Sequence, residues 1–298
     1  METVTSLQTV ADRISRGAAL STDDAQAILA TTDIIALGML ADEARKQQHG
    51  ARTTFVRVFE IHVDTPPSSL PSQVRAGEFR IIGRPADGGA AIDAVRSAAR
   101  LAGATPLTGF SLDHLLEIAG SVVALGTLSA QLASEGLKAI AEVPVDVLPD
   151  AASAVEAARQ AGLGVHRITV RAVTAGARLD PLMRARALQE AVGGFRAFAP
   201  LPRELRVDLP TTGYDDVKQV AVARVMTTNI PSIQVDWPLY GPKLAQVALA
   251  MGADDVDGIA AVDPGILGTR RSPIEEIIGN IRAAALEPRE RDGLFRPL

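Results

Sequence analysis

Short β-rich runs alternate along this chain with longer segments of helical period. This alternation is the strongest constraint on its fold, because parallel strands must be joined by helical crossovers. The clearest strand is Thr53-Thr-Phe-Val-Arg-Val-Phe-Glu-Ile-His-Val63, rich in β-branched and aromatic side chains. It runs into Asp64-Thr-Pro-Pro-Ser-Ser-Leu-Pro-Ser72, whose prolines can neither extend a central strand nor promptly start a helix. Further strands are expected at 78–83, 105–109, 122–126, 137–145, 165–173, 195–201, 232–237 and 255–259, with helices over 151–161 and 181–192 between them. Ahead of the first strand, Ser21-Thr-Asp-Asp reads as a helix start with Ser21 as N-cap, and a second helix begins near Thr31-Thr-Asp33 and runs to Gly50. The expected fold class is α/β: a TIM-type (β/α) barrel, partial or remodelled, with an N-terminal helical extension. A barrel takes about 250 residues, and the 298 present leave room for the extension. No linker or composition shift divides the chain, so a single domain over 1–298 is expected, with helices in 1–50 and the barrel and a C-terminal helix in 51–298.

The net charge of -5, with signs interspersed, leaves no basic footprint for nucleic acid. No apolar run reaches the roughly 18 residues of a membrane helix, and Met1-Glu-Thr-Val-Thr5 has neither the basic nor the apolar region of a signal peptide. A cytoplasmic protein without nucleic-acid or membrane partners is the expectation. Cysteine is absent altogether, which excludes disulfides and thiolate metal sites from this sequence.

Two groups of motifs stand out. Toward the N-terminus they are Gly17-Ala-Ala-Leu-Ser-Thr-Asp-Asp-Ala25, Asp33-Ile-Ile-Ala-Leu-Gly-Met-Leu-Ala-Asp-Glu-Ala-Arg45 and His49-Gly50. Toward the C-terminus they are Gly193-Gly-Phe-Arg-Ala-Phe-Ala-Pro-Leu-Pro202, Tyr214-Asp-Asp-Val-Lys-Gln-Val-Ala-Val-Ala-Arg224, Asn229-Ile-Pro231, Gly241-Pro-Lys-Leu-Ala-Gln-Val-Ala-Leu249, Gly252-Ala-Asp-Asp-Val-Asp-Gly258 and Glu287-Pro-Arg-Glu-Arg-Asp292. In this order they resemble the radical S-adenosylmethionine enzymes of the futalosine route to menaquinone, above all the aminofutalosine synthases. Dehypoxanthine futalosine cyclase and the deazaflavin-forming synthases are more distant likenesses.

The resemblance implies a barrel whose first strand leads into a C-x3-C-x2-C loop holding a [4Fe-4S] cluster that cleaves S-adenosylmethionine. Here the Pro-rich loop 64–72 takes that place, and Ser68 and Ser69 cannot substitute for thiolates. Glu142-Val-Pro-Val-Asp146 stands where relatives carry a glycine-rich turn, and Ala172-Val-Thr-Ala-Gly-Ala177 where they carry Gly-His-x-Glu-Thr. No cofactor is therefore expected: the cluster lacks its ligands, and S-adenosylmethionine lacks the cluster.

Functional groups of such barrels gather at the C-terminal strand ends. Asp64, Asp146 and Asp236 fall near predicted strand ends, and Asp254, Asp255 and Asp257 on a loop at or before the last strand. Converging carboxylates could hold a divalent cation or divide acid and base roles, although capping and solvation explain most single aspartates. Asp255 and Asp257 rank first among them because Asp254-Asp-Val-Asp-Gly258 matches the substrate-side loop of the resembling family. Trp237, the sole tryptophan, suits either a ligand wall or core packing, with Tyr240 beside it. Gln246 on the next helix could donate its amide. His62, within the first strand, reads first as a partly buried structural histidine and second as a catalytic one. The four histidines show no metal-ligand spacing, Gly83-Arg-Pro-Ala-Asp-Gly-Gly89 reads as a turn, and Arg270-Arg271 as a solvated pair or an anion contact.

The ligand-binding candidates are thus Asp236, Trp237, Tyr240, Gln246, Asp255, Asp257 and His62, with no metal site and no assignable catalytic residue. The first expectation is a binding or partner protein, in hetero-complex with a cysteine-containing radical S-adenosylmethionine homologue or holding an aromatic carboxylate or nucleoside. The alternative is a non-radical lyase or hydrolase acting on such a compound at the barrel mouth.

Overall fold

The structure is a computed structural model that describes residues 7–16, 20–172, 178–204, 211–262 and 274–298. Three helices come first: α1 (Leu7–Ser15), α2 (Thr22–Ala30) and α3 (Ile34–His49). Ser21 caps α2 in a reciprocal box with Asp24, as expected from the sequence, and Asp33 caps α3 by accepting from the Ala36 amide at 2.9 Å. Both contacts satisfy amides that a helix start would otherwise leave unpaired.

The barrel follows. Its strands are β1 (Arg52–His62), β2 (Glu78–Ile82), β3 (Leu107–Ser111), β4 (Ala139–Pro144), β6 (Arg167–Val170), β7 (Ala197–Pro202), β8 (Ser232–Asp236) and β9 (Asp255–Ala260), with the two-residue β5 (Gly164–Val165) beside β4. Each pairs in parallel with its neighbour, and β9 returns to β1, so the sheet closes. The crossovers are α4 (Gly88–Ala102), α5 (Leu112–Ala119), α6 (Val122–Ser134), α7 (Ala151–Gln160), α8 (Asp180–Val192), α9 (Gly213–Met226) and α10 (Trp237–Ala250). The TIM-type reading holds, with a complete rather than a partial barrel.

One predicted strand is corrected. Residues 122–126 begin α6, where Ser121 accepts from the Ala124 amide at 3.2 Å. The run Val122-Val-Ala-Leu-Gly126 is apolar because Leu125, Leu128 and Leu132 face the core, a helical period that a five-residue window cannot separate from a strand. Gly83–Gly89 is less a turn than the entrance to α4, with Asp87 as its N-cap. The Ala172–Ala177 segment lies, beyond Ala172, outside the described residues, as does Arg270-Arg271.

After α11 (Ile274–Ala283), the strand β10 (Glu287–Glu290) lies parallel to the first half of β1, pairing Arg52 with Glu287 through Phe55 with Glu290. The second half of β1 pairs instead with β2, from Val58 with Glu78 to His62 with Ile82. The C-terminal segment therefore tucks under the barrel at the N-terminal ends of its strands. Gly77 permits this, since a Cβ there would lie 2.7 Å from the Arg291 carbonyl oxygen. Among the described residues no single helix is long and apolar enough to cross a membrane.

Candidate functional site: the barrel lumen and mouth

Side chains two apart on a strand share a face. In β2, β6, β8 and β9 that rule places Glu78 and Arg80, Arg167 and Thr169, Gln234 and Asp236, and Asp255 and Asp257 toward the lumen. Phe79, Ile81, Ile168, Val170, Ile233, Val235 and Val256 are left for the opposite, helix-facing side, where they belong to the hydrophobic core. Such lumens are ordinarily filled by branched apolar side chains; this one is filled by ions.

Asp257 is fully buried at the centre. Arg80 grips it with Nη1 to Oδ2 at 2.9 Å and Nη2 to Oδ1 at 2.7 Å, while Arg167 donates to it from the opposite strand. Arg80 also holds Glu78 through Nε at 2.7 Å and Nη2 at 2.9 Å, and Arg167 donates to the Ala141 carbonyl at 2.7 Å. Burial alone would raise the Asp257 pKa, but the guanidiniums of Arg167 and Arg80 hold it well below the usual carboxylate range. One layer lower, Asp255 receives two bonds of 2.6 Å from Arg291 of the C-terminal segment and one of 2.6 Å from the Gln234 amide. The lowest of the three, Asp254, pairs with the buried Arg224 of α9 and accepts from the Ile233 amide at 2.8 Å.

This corrects the expectation for the three aspartates. Asp254 precedes β9, and Asp255 and Asp257 lie within it, from its N-terminal end to mid-barrel. None reaches the mouth, because β9 begins at Asp255 rather than ending there.

The mouth itself is ringed by arginines. Arg203 binds Glu142 at 2.9 Å and Asp236 at 2.7 Å, and Arg171 binds Asp113 at 2.6 and 2.7 Å and the Ser111 hydroxyl at 3.0 Å. Burial works against ionisation of Glu142, yet Arg203, with Arg167 and Arg80 behind it, keeps its pKa below the ordinary value. Between β2, β3 and β4 a pocket of about 230 Å³ opens, lined by Arg80, Arg84, Ser111, His114, Glu142 and Arg171 among others. Burial lowers the His114 pKa; Arg171 and Arg84 add to the effect against the pull of Asp113. At neutral pH this imidazole is uncharged, able to donate or accept one hydrogen bond.

Of the predicted residues, Asp236 is at the mouth, but its oxygens are taken by Arg203 and by the Leu239 amide at 2.8 Å, which makes it the N-cap of α10. Trp237 is completely buried, a core residue and not a ligand wall. Tyr240 donates its hydroxyl to the Pro202 carbonyl at 2.6 Å, and burial raises its pKa. Gln246 is half-buried in the part of α10 beyond its break at Gly241 (φ 79°) and does not line the mouth pocket. His62 ends β1 with its side chain 49% exposed beside Asp64, not partly buried within the strand as expected. Asp146 accepts from the Arg171 and Ala172 amides at 2.8 and 2.9 Å and so braces the loop after β6. Among the described residues no group of three or more His, Asp or Glu is arranged to hold a metal ion.

The sequence reading missed the arginines. Their signal was present as polar residues at i and i+2 inside apolar strands: Glu78-Phe-Arg80, Arg167-Ile-Thr169, Gln234-Val-Asp236 and Asp255-Val-Asp257. Asp216, at the start of α9, was also missed; burial raises its pKa, and it lies outside the lining of the mouth pocket.

The burial of Trp237 makes it an internal reporter. Ligands entering the mouth are expected to leave its fluorescence unchanged, and Trp237→Phe to keep their affinity while lowering stability by about 1–2 kcal/mol. Quenching by a mouth ligand would contradict this placement.

Comparison with known proteins follows the same division. Residues 195–297 match the family described as the CofH/MqnC C-terminal region. Aminodeoxyfutalosine synthase of Thermus thermophilus is 39% identical over 134 residues, covering 40% of this chain and 36% of that protein. A 5-amino-6-(D-ribitylamino)uracil–L-tyrosine 4-hydroxyphenyl transferase of Methanosarcina barkeri is 30% identical over 216 residues, 65% of this chain and 56% of that protein. Cyclic dehypoxanthine futalosine synthase of Streptomyces coelicolor is 30% identical over 149 residues, 46% and 37%. The matched parts thus span from about a third to just over half the length of these relatives. In fold, methylornithine synthase superposes with a TM-score of 0.64 at 14% identity, over 94% of this chain and 97% of that one. The FeFe-hydrogenase maturase HydG of Carboxydothermus hydrogenoformans gives 0.64 at 12%, over 97% and 80%.

A cluster of the radical S-adenosylmethionine kind does not fit the residues present. The loop after β1 offers only the exposed hydroxyls of Thr65, Ser68, Ser69 and Ser72 and the exposed carboxylate of Asp64, and the sequence contains no thiolate anywhere. The C-terminal region of this chain, residues 195–297, thus belongs with the CofH/MqnC C-terminal region and is similar to the aminodeoxyfutalosine and cyclic dehypoxanthine futalosine synthases, on a barrel that contains no cysteine.

Proposed function

We propose that this protein is a cluster-less, aminofutalosine synthase-like binding or partner protein of the futalosine pathway, and not a catalyst of radical chemistry. The observation that carries the reading is the state of the carboxylates. Acid-base catalysis between carboxylates needs their pKa values pushed apart, one up and one down. Here the lumen's Asp257 and the mouth's Glu142 are both driven down by arginines, and Asp236 and Asp113 are likewise bound to guanidiniums. A ring of this kind is preorganised to hold an anion beside Arg84, Arg171 and neutral His114, and it offers no free carboxylate base.

The family relationship supports a ligand of the pathway's own chemistry, an aromatic carboxylate or a futalosine-like nucleoside. It equally supports a complex with a cysteine-containing homologue, through which such a ligand would be delivered or received. Calorimetric titration with aminofutalosine and with its enol-ether benzoate precursor tests the first arm. Saturable binding, weakened at least tenfold by Arg171→Gln, is expected. Co-expression with a cysteine-containing homologue from the same genome tests the second by co-purification. Failure of both experiments would overturn the proposal, and turnover of either compound without iron would replace it with the lyase or hydrolase reading.

A further inference from the structure

A second cavity, larger than the mouth pocket, opens at the opposite end of the barrel. Its volume is about 540 Å³, within the range of small-molecule sites. Its walls come from the N-terminal ends of strands: Arg52 begins β1, Arg196 precedes β7 and Ser232 begins β8, while Arg289 and Phe295 come from the C-terminal segment. The bottom of such a barrel ordinarily serves stability, and a cavity of this size there is unexpected.

Its charge inventory is unbalanced. The lining carboxylates are spoken for: Asp254 by Arg224 and the Ile233 amide, and Glu290 by Arg57 at 2.6 and 3.0 Å. Arg291 is likewise consumed by Asp255. The guanidiniums of Arg52 and Arg196 make no hydrogen bond or ion pair with any described residue, and Arg289 has only an exposed contact of 3.3 Å with Glu287. Two guanidiniums, with the exposed Arg289 as a third, thus line one cavity without a side-chain carboxylate bonded inside it. Beside them the wall is apolar, formed by Pro231, Phe295, Pro297 and Leu298.

We propose that this cavity is a binding site for a small phosphate monoester carrying a ring, of nucleoside monophosphate size. A phosphate monoester brings about -1.5 to -2 charges and three acceptor oxygens, which matches several guanidiniums better than a single carboxylate does. The apolar wall receives the ring. The site is separate from the mouth and does not depend on what the mouth binds.

Titration of the full chain with adenosine monophosphate and with adenosine, for wild type, Arg52→Gln, Arg196→Gln and the mouth variant Arg84→Gln, tests this. Both rim arginines are exposed, so their substitution leaves the fold intact, which circular dichroism verifies. The expected result is saturable binding of the monophosphate and none of adenosine. Each rim variant should bind at least tenfold more weakly, with Arg84→Gln as wild type. No binding of the monophosphate at millimolar concentration, equal binding of adenosine, or loss only in Arg84→Gln would each overturn the proposal. The last of these would place the ligand at the mouth and leave the functional reading above standing.

Discussion

Asp257→Asn is expected to destabilise the protein by about 3–5 kcal/mol, the range for removing one member of a buried ionic group and stranding its partners. Asparagine keeps the shape of the side chain and removes its charge, so cavity formation is not the cause. What remains is two buried guanidiniums, Arg80 and Arg167, facing one another across the lumen, with Glu78 the one carboxylate still bonded to either and Glu142 acting only from a distance. Urea denaturation followed by far-ultraviolet circular dichroism should show a lower midpoint at unchanged slope. A loss under 0.5 kcal/mol, as for an ordinary surface change, would mean that the carboxylate is not the hub of this lattice. The pH dependence gives an independent check. The folded Asp257 has a depressed pKa, so its contribution is fully present above the unfolded value of about 3.9 and is lost as pH falls through the folded value. The stability gap between wild type and variant should therefore stay flat from pH 8 to about 5 and close only below about 4.

The barrel was legible in the sequence because its signal is a repeated period, and repetition survives errors in single elements. Residues 122–126 show the kind of error it survives: an apolar patch too short to reveal its period. The boundaries of α2 and α3 were legible because Ser21, Asp33 and Gly50 are capping residues whose chemistry is local. The site was not legible in the same way. Asp255 and Asp257 were singled out as ligand-binding candidates on a loop, and placing them required knowing where β9 begins: a strand entering three residues later would have left both on that loop. Arginine is ordinarily a surface residue, so Arg80 and Arg167 invited no attention until closure of the sheet turned their strand faces into an interior, nor did Arg291 until the C-terminal segment brought it beneath that interior. Trp237 misled for the converse reason: its neighbour Asp236 is at the mouth, but one residue along the chain points the ring into the core.

Arg291 supplies the second large effect, because it ties the C-terminal segment to the barrel floor. Its guanidinium makes two bonds of 2.6 Å to Asp255, donates to the Asp292 carbonyl at 2.9 Å and lies 3.9 Å from the centre of the Phe295 ring. Arg291→Met would leave Asp255 buried with only Gln234 and Thr54 as partners, at an expected cost of about 3–5 kcal/mol. The pair itself is worth far less than either half, since replacing both charges removes the stranded one. Asp255→Asn combined with Arg291→Met should therefore recover at least half of the loss, and the double-mutant cycle should return a coupling energy larger than the loss in Asp255→Asn alone. Additive losses would show that the two residues act separately. Hydrogen exchange adds a local readout. The Arg291 amide donates to the Phe55 carbonyl at 2.9 Å and the Gly293 amide to Gly77 at 3.0 Å, so both should lose protection in Arg291→Met before the strands of the barrel do. If they exchange only with global unfolding, the segment is held by β10 pairing alone, and the floor of the lower cavity is rigid without its arginine.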